Sequence, residues 1–224
     1  DKDKAEVPQF EKDRMAWIDD MLYYFTGIRD KDAKDDDGNT ITDVNLKYKW
    51  VIDGVDRYIE SEKKRVERIA DENVRQNGAE ELSIVSELLR TKRLSIMKSR
   101  QRTAEEKEEY DNLLKKLFRK TRSYFEEDRL DEEQKNKLGN MALLNASINR
   151  SYGNAYFAIK RMHIQDKDSE GVFIPLTTKN VFMKYYSKRV DSMLVWTNDD
   201  ATGYLTAIKN KLSRFLTTDD NGKQ

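Results

Sequence analysis

The chain has 224 residues, and its 42 lysines and arginines balance 42 aspartates and glutamates, so that it carries no net charge. Charged residues make up 38% of it and hydrophobic residues 37%, and it has no cysteine, which excludes disulfide frameworks, thiolate zinc sites and a cysteine nucleophile. The single histidine, His163, excludes metal sites that need two histidines, and no apolar run reaches the roughly 18 residues of a membrane span.

The first half of the chain predicts four helices. Apolar residues recur near helical spacing between Phe10 and Phe25, and Gly27 is placed to end the first helix. The same periodicity predicts the next three helices at 43–73, at 79–99 and from Thr103 onward. Gln76–Gly78 is expected to separate the first two of these, and Thr103 and Glu106 have the spacing of a capping box. We expect these three helices to form a bundle or a long hairpin.

An acidic segment, residues 30–39, resembles a calcium loop in composition only. With Gly38 at the sixth position of an EF-hand loop, Ala33 would occupy the first position and Val44 the twelfth. Both positions require oxygen ligands, so the register fails and a solvated turn is predicted.

Beyond Leu130 the pattern changes to short apolar runs between glycines and asparagines. Two of these runs predict short strands, at 141–144 and 171–176. Helices are predicted at 155–164 with Asn154 as its cap, at 179–188, and from Thr197 to about Leu216. The expected domains are a helical bundle or insertion at 1–129, a compact module at 130–218 and a polar tail at 219–224.

Segment 138–161 holds the densest set of candidate functional residues. It reads L-G-N-x-x-L-L and then N-R-S-Y-G-N-x-x-F-x-x-K-R, with amides at Asn140, Asn149 and Asn154. Asparagines near turns usually bond their own backbone or cap helices, which is the structural interpretation. In the functional interpretation their amides bind a hard metal or orient a catalytic group, while Lys160 and Arg161 hold phosphate.

This pattern resembles the C-terminal half of the HNH-type nuclease module in GmrSD-like, modification-dependent restriction proteins of bacteria. The similarity covers about residues 130–216, including 171–188 and the helix after Trp196, and it is weak upstream. The resemblance implies a β-hairpin followed by a helix around one divalent ion. The expected fold class is therefore α+β and predominantly α-helical, with a helical bundle or insertion beside a small ββα-metal-like hairpin-and-helix module.

The resemblance also implies roles for single residues. Asn140 would orient the general-base histidine and Lys160 would stabilise charge on the scissile phosphate, so both would be catalytic. Asn154, and secondarily Asn149, would lie near Mg²⁺ or a similar ion. The residues expected to contact DNA are Lys160, Arg161 and Arg150.

The general-base histidine is the missing part of the pattern. In the family it belongs to a D/E-H-x-x-P motif on the first strand, but no histidine precedes Asn140 here. His163 follows the motif on a helix, and we interpret it as an ordinary side chain, partly buried or at the surface. Because the chain begins with Asp1 rather than Met, we expect a longer bacterial cytoplasmic protein that carries the motif upstream. A degenerate module that no longer cleaves is the other explanation.

The resemblance thus implies the C-terminal portion of a metal-dependent HNH-type DNA endonuclease, inactive as this piece and linked to an N-terminal NTPase-like domain. The alternative is a non-catalytic helical protein-interaction module or a degenerate DNA-binding domain. Zero net charge argues against a strong nonspecific grip on DNA. Two basic runs are interpreted as solvated helix faces or, if functional, as phosphate contacts: Lys92, Arg93, Lys98, Arg100 and Arg102, and Lys115, Lys116, Arg119, Lys120 and Arg122.

Overall fold

A computed structural model describes residues 9–96, 102–125, 133, 136–144, 155–190 and 192–216. The chain divides into two compact units, residues 1–122 and 123–224. Across the described ranges the regular structure is helical, and the β-structure amounts to an isolated antiparallel bridge between Lys34 and Thr40. The expected α+β class with a ββα hairpin is therefore wrong for this part of the chain, which is helical.

Four long helices build the unit at 1–122. They are α1 (Gln9–Thr26), α2 (Val44–Glu67), α3 (Glu72–Ile96) and α4 (Ala104–Tyr124). Helices α1 and α2 both pack against α3, and Trp17 of α1 contacts Phe118 of α4 with ring centroids 4.5 Å apart. The largest fully buried aliphatic side chains of this core are Ile18, Met21, Leu22, Val55, Ile84, Val85, Leu88 and Leu117.

The ends of these helices follow local sequence signals. Helix α1 stops at Gly27, whose φ of 69° is the left-handed conformation that glycine adopts without strain. The carboxylate of Asp43 accepts the first free N–H groups of α2. The capping box is confirmed, because the Thr103 N–H donates to the Glu106 carboxylate at 2.8 Å and the Glu106 N–H donates to the Thr103 hydroxyl at 3.2 Å.

The predicted break at Gln76–Gly78 is wrong, because α3 begins earlier, at Glu72, and runs through this segment. A Cβ atom on Gly78 would lie 2.9 Å from Cγ2 of Val66 in α2. Glycine therefore serves here as a close-contact position between two helices rather than as a helix terminator.

The acidic segment is a turn, in line with the sequence prediction. Its residues are exposed apart from the fully buried Ala33. The Asp35 carboxylate accepts the main-chain N–H groups of Asp37 and Asn39 at 3.1 and 2.8 Å. Gly38 has a φ of 83°, which closes the turn.

Shorter elements build the unit at 123–224. They are a 3-10 helix (Leu138–Asn140), α5 (Phe157–Ser169), α6 (Leu176–Phe182) and α7 (Asn198–Leu216). Its core contains Ile164, Ile174 and Phe182, with four partly buried residues around them: Ala142, Leu144, Phe157 and Val172.

The two predicted strands, 141–144 and 171–176, are not strands in the described structure, and Leu176 already belongs to α6. Within 141–144, Ala142 and Leu144 pack on the core, whereas Met141 and Leu143 are exposed. This alternation has the period of a strand, which explains the prediction. The Leu143 carbonyl accepts a hydrogen bond from the Thr178 hydroxyl at 2.6 Å instead of one from a neighbouring strand.

Two predicted helix boundaries also shift in this unit. The helix expected at 179–188 is α6, which begins at Leu176 and ends at Phe182. Lys184 follows with a left-handed φ of 55°, which is incompatible with a continuing helix. Helix α5 starts at Phe157 after Tyr156, and Asn154, its predicted cap, lies outside the described residues. No helix in the described ranges is long and apolar enough to cross a membrane.

Candidate functional site

The L-G-N motif forms the tight 3-10 turn that presents Asn140. The Asn140 N–H donates to the Lys137 carbonyl at 2.9 Å, and the Met141 N–H donates to the Leu138 carbonyl at 3.1 Å. Asn140 is half-buried, whereas the preceding Gly139 is buried. The turn packs against α7, so this helix supports the backbone of the first candidate catalytic residue.

Gly139 is the contact point between the turn and α7. A Cβ atom at this position would lie 2.3 Å from the Ala201 carbonyl oxygen and 3.0 Å from the Leu205 Cβ. Any larger residue would push the turn away from the helix. The glycine of the motif is thus required by packing. Because it has no Cβ atom, the turn that contains Asn140 can lie close against α7.

A buried ion pair lies at the start of α7, next to this contact. The Lys184 ammonium donates to the Asp200 carboxylate at 2.6 Å, and both side chains are only 2% exposed. The same carboxylate accepts hydrogen bonds from the Ser187 hydroxyl at 2.5 Å and from the Thr197 N–H at 2.9 Å. The Asp200 N–H donates to the Thr197 hydroxyl at 3.2 Å, so Thr197 and Asp200 also form the capping box of α7.

These donors determine the protonation state of Asp200. Burial alone would raise the pKa of its carboxyl, but the hydrogen bonds from Lys184, Ser187 and Thr197 outweigh burial and hold the pKa below its usual range. The carboxylate is therefore charged at neutral pH and balances the buried ammonium.

Lys184 also connects α7 with α5. Its ammonium lies 5.5 Å from the ring centroid of Phe157, the first residue of α5. Phe157 stacks on Phe182 at 5.6 Å and contacts Trp196 at 5.5 Å. The elements that carry Asn140 and Lys160 are thus linked through Gly139, Asp200, Lys184 and Phe157.

Helix α5 carries both predicted phosphate-binding residues. Lys160 lies in its first turn and is half-buried, and its N–H donates to the Tyr156 carbonyl at 3.0 Å. Arg161 is half-buried against Met183, with the guanidinium 3.9 Å from the sulfur atom. His163 is half-buried on the same helix. Asn149, Arg150 and Asn154 lie outside the described residues.

The described residues supply no complete ligand set for a divalent ion, and Asn149 and Asn154, the ligands that the resemblance implies, lie outside them. No group of three histidine, cysteine, aspartate or glutamate side chains within them is arranged to hold a metal. Asp200 adjoins the Gly139 contact, but hydrogen bonds from the protein occupy both of its oxygens. The amide oxygens of Asn149 and Asn154 suit Mg²⁺ but bring no negative charge, so they form a site only with further ligands.

Several cations of the two basic runs bind other residues of the protein. Lys92 pairs with Asp19, and Arg93 pairs with Asp56. The buried Arg102 donates to the carbonyl oxygens of Leu94 and Ser95. In the second run, Lys116 and Lys120 both contact Glu87, at 2.7 and 2.8 Å. These five cations stabilise helix contacts, while Lys98 and Arg100 lie outside the described residues.

Comparison with known proteins supports the resemblance that the motifs carry. The family model described as "GmrSD restriction endonucleases, C-terminal domain" matches residues 97–181. The match contains both asparagine motifs and Lys160, so the predicted resemblance is confirmed over this segment. It begins in the helical unit, earlier than the expected 130, and ends within α6. No curated protein and no solved structure gives a significant match.

The Lys184–Asp200 pair is the part of the site that sequence analysis missed. From the sequence alone, Asp200 is an acidic residue in the first turn of a predicted helix, where its charge favours the helix dipole. One signal was available, since Thr197 and Asp200 have capping-box spacing. The partner lysine is 16 residues away, and neither periodicity nor motif spacing connects it to Asp200.

Proposed function

We propose that this chain supplies the C-terminal part of a restriction endonuclease that hydrolyses DNA phosphodiesters, with HNH-type chemistry that depends on Mg²⁺ or a similar ion. The observation that carries the proposal is the family match over 97–181. It coincides with a turn that holds Asn140 against α7 and with a helix that carries Lys160.

In this proposal Asn140 orients a general-base histidine supplied by a D/E-H-x-x-P segment, and Lys160 stabilises negative charge on the scissile phosphate. Asn154 and Asn149 contribute neutral oxygen ligands to the ion, which when bound supplies a Lewis acid for the phosphate. Arg150 and Arg161 contact phosphates of the DNA. The chain as given has no histidine before Asn140, so by itself it does not cut.

Plasmid nicking tests the proposal in a longer protein that includes the reading frame upstream of Asp1. Asn140→Ala should lower Mg²⁺-dependent nicking by about a hundredfold or more, since loss of general-base catalysis has effects of this size. Asn154→Ala should lower nicking through weaker ion binding, because it removes an oxygen ligand. Asn210→Ala, an exposed asparagine of the same unit, is the matched control. Wild-type cutting by both variants, or an upstream frame without the histidine motif, would refute the assignment.

A second candidate function, protein binding, is favoured by exposed apolar side chains in the unit at 123–224. Leu143, Phe173 and Leu176 are 75%, 83% and 71% exposed. The Thr178–Leu143 hydrogen bond brings the extended segment with Leu143 to the start of α6. Such apolar exposure is typical of interaction surfaces. Sedimentation of the chain with and without Phe173→Ser and Leu143→Ser would show whether the surface drives association.

A further inference from the structure

The C-terminal half of α2 and its C-cap residue, Arg68, carry a row of basic side chains that the sequence analysis did not single out. Arg57, Lys64 and Arg68 are exposed. Together with Glu60, Ser61 and Arg65 they line one open depression on the surface. We refer to Arg57, Lys64 and Arg68 as the α2 basic row.

Helix geometry places the three cations in a straight line. At 3.6 residues per turn, positions 57, 64 and 68 fall within about 40° of one another around the helix axis. At 1.5 Å per residue they extend over about 16 Å along the axis. The three cations therefore lie on one face of the helix, with the carboxylate of Glu60 beside them, rather than on different faces.

The charges of this row are not neutralised within the described protein. Its side chains make no ion pair or hydrogen bond to a described residue, whereas the neighbouring Arg65 pairs with Glu62 at 2.6 Å. The contrast with the two predicted basic runs is clear, because those cations pair with Asp19, Asp56 and Glu87. The α2 basic row is thus available to an external anion.

Charge changes sign along this helix. Near its N-terminal end a second depression is lined by four aspartates, with Lys34, Lys49 and Trp50 beside them: Asp35, Asp36, Asp43 and Asp53. A neutral chain with segregated charges still produces a local field, so zero net charge does not exclude a local anion-binding surface. The aspartates at this end of the helix would repel an extended polyanion.

We propose that the α2 basic row binds the phosphate backbone of duplex DNA without reading its sequence; this rests on the proposed nuclease function and assigns part of its substrate contact to a helix outside the family match. The six side chains that line the depression are charged or polar, and none is aromatic. They offer no stacking platform for unpaired bases and no apolar anchor for a lipid surface. A linear row of point charges suits regularly spaced phosphates.

Fluorescence anisotropy with the full chain and a labelled 20-base-pair duplex tests this surface. The triple variant Arg57→Gln, Lys64→Gln, Arg68→Gln should raise Kd at least about tenfold at low salt. It should also flatten the slope of log K against log salt by about 2 to 3, because each lost phosphate contact removes about 0.9.

A matched control has Lys63, Lys107 and Lys209 replaced by glutamine. All three are exposed, and Lys63 lies in the same part of α2 but on another face, so it senses the same helix dipole. The control should bind duplex within about twofold of the wild type. Circular dichroism spectra of both variants should show that the helices remain folded.

Several outcomes would overturn the inference: equal weakening by both triple variants, wild-type affinity in the α2 variant, no duplex binding by the wild-type chain, or tighter binding to single-stranded RNA or anionic vesicles. The nicking assay separates this result from the proposed function. If the longer protein nicks DNA but the α2 variant keeps wild-type affinity, only the proposed DNA-binding surface is refuted. If the row binds duplex but the longer protein does not nick, only the proposed nuclease function is refuted.

Discussion

In residues 1–122 the helices meet mainly through apolar stripes. In residues 123–224, important contacts are made by two glycines and by a buried ion pair. The first unit packs Ile84 and Leu88 of α3 against its neighbours as fully buried side chains. In the second, Gly139 and Gly203 each lie against backbone carbonyls, and Lys184 pairs with Asp200 in the interior. The difference shows that equally buried residues stabilise the two units in different ways. In the first unit a buried side chain must fill a volume, whereas in the second it must meet a specific partner.

The largest expected effect is the loss of the buried pair. Asp200→Ala leaves the Lys184 ammonium buried without its carboxylate, which should cost about 3–5 kcal/mol in the free energy of unfolding. Hydrogen exchange of the amides at 198–216 measures the opening of this unit. Asp111→Ala is the control, because its pair with Arg14 is exposed and should be worth less than about 1 kcal/mol. If Lys184→Met with Asp200→Leu is as unstable as Asp200→Ala, uncompensated charge is not the cause.

The first unit should respond most to lost volume. Leu88 is fully buried in α3, so Leu88→Ala should lower the free energy of unfolding by about 2–5 kcal/mol through lost burial and a cavity. Urea denaturation followed by circular dichroism provides the measurement. Leu46→Ala, at a position 56% exposed, should change stability by no more than about 0.5 kcal/mol. Equal effects at both positions would contradict a volume-dependent core.

Replacing a glycine by alanine should change the free energy of unfolding differently in the two units. Gly139→Ala places a methyl group against the rigid Ala201 carbonyl, 2.3 Å away, and should cost about 1–3 kcal/mol. Gly78→Ala meets only the Val66 side chain at 2.9 Å, and alanine improves the helix by about 0.5–1 kcal/mol, so the net change should be near zero. Thermal unfolding compares them, and a larger loss for Gly78→Ala would refute this assignment of close contacts.

The smallest expected effect is a loss of folding stability at acid pH. Burial tends to raise the pKa of Glu87, but hydrogen bonds from Lys116 and Lys120 lower it, as the Lys184, Ser187 and Thr197 bonds do for Asp200. A depressed folded pKa contributes stability above the unfolded value of about 4, and this stability is lost as pH falls through the folded pKa.

We therefore expect the contribution of Glu87 and Asp200 to stability to be nearly constant from pH 7 to 5 and to fall below about pH 4. The stability difference between wild type and Asp200→Asn should narrow over the same acid range. Melting temperatures between pH 7 and 3 measure both trends. A difference that widens on acidification would mean that the pKa of Asp200 is raised rather than lowered.

Much of the helical unit could be predicted, because long amphipathic stripes and caps act over a few residues. The capping box at Thr103 and the stop at Gly27 are both found. The exception, Gly78, shows the limit, since a glycine that ends one helix can serve in another as a contact site. Its role depends on Val66, which belongs to a different helix.

The candidate site was predicted only in part. The motif identified Asn140 and Lys160, and the family match over 97–181 confirms the resemblance on which they rest. The predicted strands failed because alternate burial gives 141–144 the period of a strand even where no partner strand pairs with it among the described residues. The sequence could not show which cations of the basic runs are paired, because the ion-pair partners of Lys92, Arg93, Lys116 and Lys120 come from other helices.

The sequence by itself determined the helical character of residues 1–122, the motif around Asn140 and the absence of cysteine and of a histidine before that motif. Only the tertiary structure decided which charges are free. It neutralises Lys116 and Lys120 on Glu87, buries Lys184 on Asp200 and leaves the α2 basic row exposed. The physical reason is that helical period and capping are local, whereas a charge is neutralised by whichever partner the fold brings within a few ångströms.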